Sequence, residues 1–150
     1  MRRFLRNQTA SAALEFALSL PILIGLVIGA EEFGSAFWCH HMLVQMTRDA
    51  TRYLSRVPDP TNGVYQTRAT NLALYGNQAG TGTAVMPSTF GSGPVTISYT
   101  VANMGGTWTG VAQNVTATAH FTYSSTLIGW FGLEPDLAMA VSHTERVQSD

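Results

Sequence analysis

The residues of this chain that could do chemistry are few, and most stand alone. Glu15 has the most unusual setting. It lies near the start of SAALEFALSLPILIGLVIGAEEFG, Ser11 to Gly34, and no further charge follows until Glu31. A charged carboxylate at the centre of a bilayer helix costs on the order of 2.5–3.5 kcal/mol, and less near the interface. An ionisable side chain in such a run is a functional residue by expectation. Cys39-His40-His41 has the residue types of a metal site. Consecutive side chains on a helix diverge by about 100°, so these three cannot converge on one ion. His120 and His143 are single residues on strand patterns, with no partner in view. Glu134 and Asp136 flank Pro135 at a turn. There is no nucleophile elbow, phosphate loop or paired-cysteine motif. The sequence predicts no catalytic residue, no metal ligands, no cofactor and no enzyme.

The element that positions Glu15 is the apolar run itself. A membrane-crossing helix needs roughly 20 mostly apolar residues for about 30 Å of hydrocarbon. The uncharged stretch Phe16–Ala30 holds 15 residues, or roughly 22 Å at about 1.5 Å each. That is short, so the turn around Glu15 is drawn to the membrane edge or into it. Arg2, Arg3 and Arg6 precede the run without an acid, and Glu31 and Glu32 follow it. This asymmetry places the N-terminus in the cytoplasm and the rest outside. A secretory signal peptide shares the basic start, but its core is usually 7–15 residues and ends at an A-x-A-like site. Here AEEFGSAF follows instead, so the helix is expected to be retained. Pro21 falls inside the pattern, where it removes a backbone donor and predicts a kink or local unwinding.

Beyond Gly34 the helix is expected to continue to about Arg56. Ala36, Cys39, Leu43, Met46, Ala50, Tyr53 and Val57 recur at three- and four-residue spacing and make one apolar seam. His41, Gln45, Arg48, Arg52 and Ser55 are assigned to the opposite side. The seam packs on the protein's own sheet or, alternatively, also on neighbouring helices. Val57-Pro58-Asp59-Pro60 stops the helix, since the residue before proline leaves the α region. A short helix is expected from about Thr67 to Tyr75, and Gly76–Pro94 reads as loop. The period then changes to two. Val95, Ile97, Tyr99 and Val101 alternate with polar residues. So do Val115, Ala117, Ala119, Phe121 and Tyr123, and later Leu137, Met139 and Val141. Such strands predict an antiparallel sheet with one buried face. MGGTWTG is read as a hairpin loop. STLIGWFGLEP, with Leu127, Ile128, Trp130, Phe131 and Leu133, either plugs the core or offers an apolar contact surface.

Composition agrees with this division. The chain has 150 residues and a net charge of −1, with one cysteine and about half the usual share of charged residues. Near-neutral charge gives nucleic acid no purchase. One cysteine excludes an intramolecular disulfide framework.

Ser11-Ala12-Ala13-Leu14-Glu15-Phe16-Ala17-Leu18, then Pro21, then Glu32-Phe33-Gly34, then Asp49-Ala50-Thr51-Arg52-Tyr53 resemble the TadE family. These are pilin-like pseudopilins of bacterial tight-adherence pilus systems. The resemblance is strong over the first third of the chain, and the strands match in pattern only. It implies an α+β, pilin-like fold: a long N-terminal helix, its first half transmembrane and Pro-kinked, and a small antiparallel sheet of about three or four strands. It implies cleavage by a prepilin peptidase between Ala10 and Ser11, which leaves Glu15 at the fifth position of the mature chain. Glu15 and Phe16 would serve peptidase recognition and assembly. Glycine is usual before the cut, and Ala10 departs from it. The implied organisation is a basic cytoplasmic leader at 1–10, a transmembrane helix at 11–34, its amphipathic continuation at 35–57 and an extracytoplasmic β-rich domain at 58–150. The implied partners are the lipid bilayer, the prepilin peptidase, other pilin or pseudopilin subunits and an assembly platform in the bacterial inner membrane. Two other readings stay open: an uncleaved, signal-anchored binding domain, and a type II secretion pseudopilin.

Overall fold

A computed structural model of the chain describes residues 8–103, 113–125, 128–129, 132, 134 and 136–148, with side chains from Ser11 onward. The leader residues 1–7, the expected hairpin loop at 104–110 and the apolar residues Leu127, Trp130, Phe131 and Leu133 lie outside these.

One helix dominates. α1 runs from Gln8 to Leu54 without interruption, through Pro21. It ends two residues before the expected Arg56. The Ser55 N–H still donates to the Thr51 carbonyl at 2.8 Å, but the Arg56 N–H reaches only three residues back, to Tyr53, at 3.2 Å. The last turn thus tightens before the prolines arrive.

α2 spans Gly63–Tyr75 and starts four residues earlier than expected. The reason is a cap. Asn62 Oδ1 accepts the Val64 N–H at 2.9 Å, satisfying a donor that has no partner within the helix. At the other end Gly76 turns left-handed at φ 70°, and its N–H donates to the Leu72 carbonyl. Between α2 and the sheet the chain is irregular, apart from one 3-10 turn at Ser88–Phe90.

The sheet has three antiparallel strands in the order β1 (Thr96–Asn103), β2 (Gln113–Ser124), β3 (Asp136–Arg146). Val101 faces Val115, which faces Glu145; Ala119 sits between Ile97 and Val141. The expected alternation holds best on the central strand, where Val115, Ala117, Ala119, Phe121 and Tyr123 are buried. Its other face is polar and includes a Thr116–Thr144 hydroxyl hydrogen bond of 2.8 Å. Leu137 departs from the pattern and is half exposed, at the start of an edge strand.

The second half of α1 lies across β2 and β3, and α2 packs beside α1. Cys39, Leu43, Met46, Ala50 and Leu54 enter the core from α1, Ala69 and Ala73 from α2. Thr47, Thr51 and Ser55 are buried too. Ser55 therefore corrects the sequence reading, which put it on the solvent side. Burying these hydroxyls leaves no unmet polar group. Thr47 Oγ1 donates to the Leu43 and Val44 carbonyls, Thr51 Oγ1 to those of Thr47 and Arg48, and Ser55 Oγ to that of Arg52.

Candidate assembly site on the N-terminal helix

α1 has two halves with opposite surroundings. From Ser11 to Val27 every side chain is exposed; Leu18 and Ile22 are each 68% accessible. Leucine, isoleucine and phenylalanine left bare along five turns form a contiguous apolar surface far beyond what a monomer in water shows. By length and composition this helix can cross a membrane. From Cys39 to Ser55 one face is sealed by the sheet and α2. The boundary falls at the end of the apolar run, where Ile28, Gly29 and Glu32 are half-buried.

Ala10 and Ser11 both lie in the first turns of α1. Glu15 and Phe16 follow on the exposed half, Phe16 at 60% accessible. The Glu15 carbonyl accepts the Ser19 hydroxyl at 2.9 Å, and the Phe16 carbonyl accepts it at 3.1 Å. Among the described residues no carboxylate lies within 4.0 Å of an arginine nitrogen, so nothing there neutralises Glu15.

The seam, expected on the protein's own sheet and alternatively also on neighbouring helices, lies in the core formed with the sheet and α2. Cys39, Leu43 and Ala50 are 0% exposed and Met46 is 2% exposed. The protein's own strands and α2 cover them. Ala36 and Tyr53 are half-buried at the margin of the same core. The consecutive triple also separates: Cys39 is buried, while His40 and His41 are exposed. His120 is exposed and His143 half-buried. Among the described residues no group of three His, Cys, Asp or Glu could hold a metal ion.

Tyr123 marks the junction between the halves, a role that its place in an alternating strand pattern does not reveal. Its phenol donates to the Glu32 backbone carbonyl at 3.5 Å, joining the centre of the sheet to the point where α1 leaves the domain. Burial pushes that phenol above its ordinary range, and the Glu32 carboxylate beside it pushes the same way. Glu32 Oε1 is shielded from solvent and finds no hydrogen-bond partner among the described residues. Burial also raises the Cys39 thiol above its usual value, which keeps it protonated and inert.

A helix that is bare below and built into a small sheet above is the shape the N-terminal sequence pattern implied. Residues 10–52 match the family model described as TadE-like protein. The TadE-like segment is thus α1 almost to its end, covering the Ala10–Ser11 bond, Glu15, Phe16, Pro21 and the seam. No curated protein and no solved structure matches the chain.

Proposed function

We propose that this chain is a minor pilin-like subunit, a pseudopilin, that takes part in assembling a bacterial tight-adherence pilus. In this reading residues 11–34 cross the inner membrane once. The leader 1–10 is cytoplasmic and is removed by a prepilin peptidase between Ala10 and Ser11. The domain from 58 onward is periplasmic, carried on the 35–57 part of the helix. The observation that carries the reading is the division of α1, in the TadE-like segment, into an uncovered apolar half and a half buried in its own domain. That is what a subunit needs if it waits in lipid and later trades lipid for neighbouring helices.

Cleavage has a physical purpose here. It removes Arg2, Arg3 and Arg6 and creates an amine four residues from Glu15. That amine, on its own or an adjacent copy, together with the positive end of the helix dipole, can neutralise the carboxylate once water is gone. N-terminal sequencing of membrane-extracted protein tests this. A chain beginning at Ser11 is expected; one still beginning at Met1 in cells with an active peptidase refutes maturation. Glu15→Ala should abolish assembly with partner subunits.

One observation favours a second reading, the anchored binding domain. A largely apolar cavity of about 420 Å³ opens between the end of α2 and the loop before β1, lined by Leu74, Met86, Pro87, Val95 and Phe121. Under that reading Glu15→Ala changes little, so the same variant separates the two.

A further inference from the structure

β2 runs down alongside the second half of α1. At the upper end the Gln148 N–H donates to the Ser55 carbonyl at 2.9 Å, and the Val147 N–H donates to the Gln113 carbonyl at 2.8 Å. At the lower end the Tyr123 phenol donates to the Glu32 carbonyl. The two lengths agree. Glu32 to Ser55 is 23 residues of helix and Gln113 to Tyr123 is 10 residues of strand, each about 34 Å. The β2–β3 connection therefore leaves the sheet at the level of Glu32, two residues past Ala30, where the uncharged run stops. Ile28 and Gly29 are half-buried, so cover reaches below that level.

Large apolar side chains are bare at this end of the domain. Leu137 stands opposite Tyr123 in the ladder and is 50% exposed. Ile128 is 37% exposed. Its N–H donates to Ser125 Oγ at 3.2 Å, and the Gly129 N–H donates to the Ser125 carbonyl at 3.3 Å. Those bonds fold Ile128 into a turn against the end of β2. On the helix, Phe33 follows Glu32 directly and is 74% exposed. Phe33, Ile128 and Leu137 thus form an apolar rim at one height, although they come from three separate parts of the chain.

We infer that this rim rests in the interfacial layer of a zwitterionic lipid surface, so that the domain touches the bilayer as well as being tethered to it. The inference rests on residues 11–34 crossing a membrane, and is independent of cleavage and of any pilus. Continuity chooses the occupant. A helix that crosses the bilayer along the apolar run sets Glu32 about 3 Å past its end. The headgroup layer is about 5–8 Å deep on each side, so the rim lies within it and no partner has to be brought there. Exposed apolar side chains in that layer are covered by lipid instead of water. Charge chooses the lipid. Glu31, Glu134 and Asp136 are exposed at the same end, and acids gain nothing from an anionic surface that attracts bases. The domain is then held at two places, by α1 and by the rim. Drawing the chain out of the membrane has to strip lipid from both.

The test places a fluorophore on single introduced cysteines in the full chain, reconstituted in vesicles of zwitterionic lipid that carry a spin label near the headgroup. The positions are Ile128→Cys, Leu137→Cys, Thr100→Cys and Leu23→Cys, and the unsubstituted protein sets the background from buried Cys39. Thr100 is exposed and pairs with Thr116, seven residues up β2 from Tyr123, or about 23 Å higher. Loss of fluorescence is expected at Ile128 and Leu137 and none at Thr100. Leu23 reports the span itself, through loss of fluorescence with lipid labelled near the chain end. Loss at Leu23 but none at Ile128 and Leu137 overturns the rim and leaves the spanning helix standing. No loss at Leu23 removes the span and the rim with it. A second arm alters no residue at the rim. The unsubstituted chain is irradiated in vesicles whose lipid carries a carbene-forming group near the headgroup. Adducts are expected on the peptides that carry Ile128 and Leu137. Adducts confined to α1, or a rim shielded only when other protein subunits are added, overturn the lipid contact.

Discussion

The two halves of α1 make opposite demands on the same residue type, and leucine-to-alanine changes expose the difference. Leu43 is 0% exposed between the sheet and α1's own neighbours, while Leu18 is 68% exposed. Leu43→Ala removes three buried carbons, worth about 0.8 kcal/mol each, and leaves a cavity that the strands close only in part. The expected loss in domain stability is therefore roughly 2–5 kcal/mol, a large share of the roughly 5–15 kcal/mol that holds a small domain. Leu18→Ala touches no part of the domain and should change its unfolding by less than about 0.5 kcal/mol. Urea unfolding of the full chain in detergent micelles, followed by near-ultraviolet circular dichroism, reads the difference. With a urea slope of about 1–3 kcal/mol/M, Leu43→Ala should lower the midpoint by about 0.7–5 M and Leu18→Ala should not move it measurably. Equal midpoints for the two variants, or a Leu43→Ala loss within about 0.5 kcal/mol of wild type, would refute the division of the helix.

Other outcomes follow from single contacts. Asn62→Ala removes the oxygen that accepts the Val64 N–H at 2.9 Å, and should cost about 1 kcal/mol, seen as a lower midpoint in the same urea assay. Gly91 bridges to Tyr123, and a Cβ there would collide with the Phe121 ring and the Thr122 carbonyl. Gly91→Ala should therefore destabilise the domain by at least about 1 kcal/mol in that assay, a cost of overpacking a backbone contact. Burial raises the Tyr99 phenol, with the Thr70 hydroxyl opposing, and burial and then Glu32 raise that of Tyr123. A raised phenol holds its proton more tightly in the folded state. Its stabilisation is complete below the ordinary value of 10.0 and is lost as pH climbs above it. Alkaline unfolding should begin above that value, and Tyr99→Phe with Tyr123→Phe should flatten the loss. Tyrosinate absorbance at rising pH checks this.

Much of this architecture was legible from residue order because each element's signal is local. An uncharged run bounded by Glu15 and Glu31 specifies an apolar helix wherever it is placed, and period-two alternation specifies three strands with one inner face. The Asn62 cap is equally local, and it starts α2 at Gly63 rather than near Thr67. Ser55 reads as solvent-facing because a hydroxyl is polar in sequence. Just past the end of α1 its hydrogen is absorbed by the Arg52 carbonyl, so burial carries no polar penalty.

Sequence alone determined that the first half of α1 is apolar, that an acid sits near its start and that strands follow, because side-chain polarity and backbone period are properties of neighbouring residues. Which face of α1 stays free was decided only by the tertiary structure. The Cys39–Leu43–Met46–Ala50 seam and the Phe33–Phe37–Arg48–Arg52 strip are both patterns on one helix. Only the sheet, docking on the first through Val115, Ala117 and Ala119, left the second open. A helix cannot specify by itself which of its sides its own distant strands will cover, since that depends on contacts made nearly a hundred residues away.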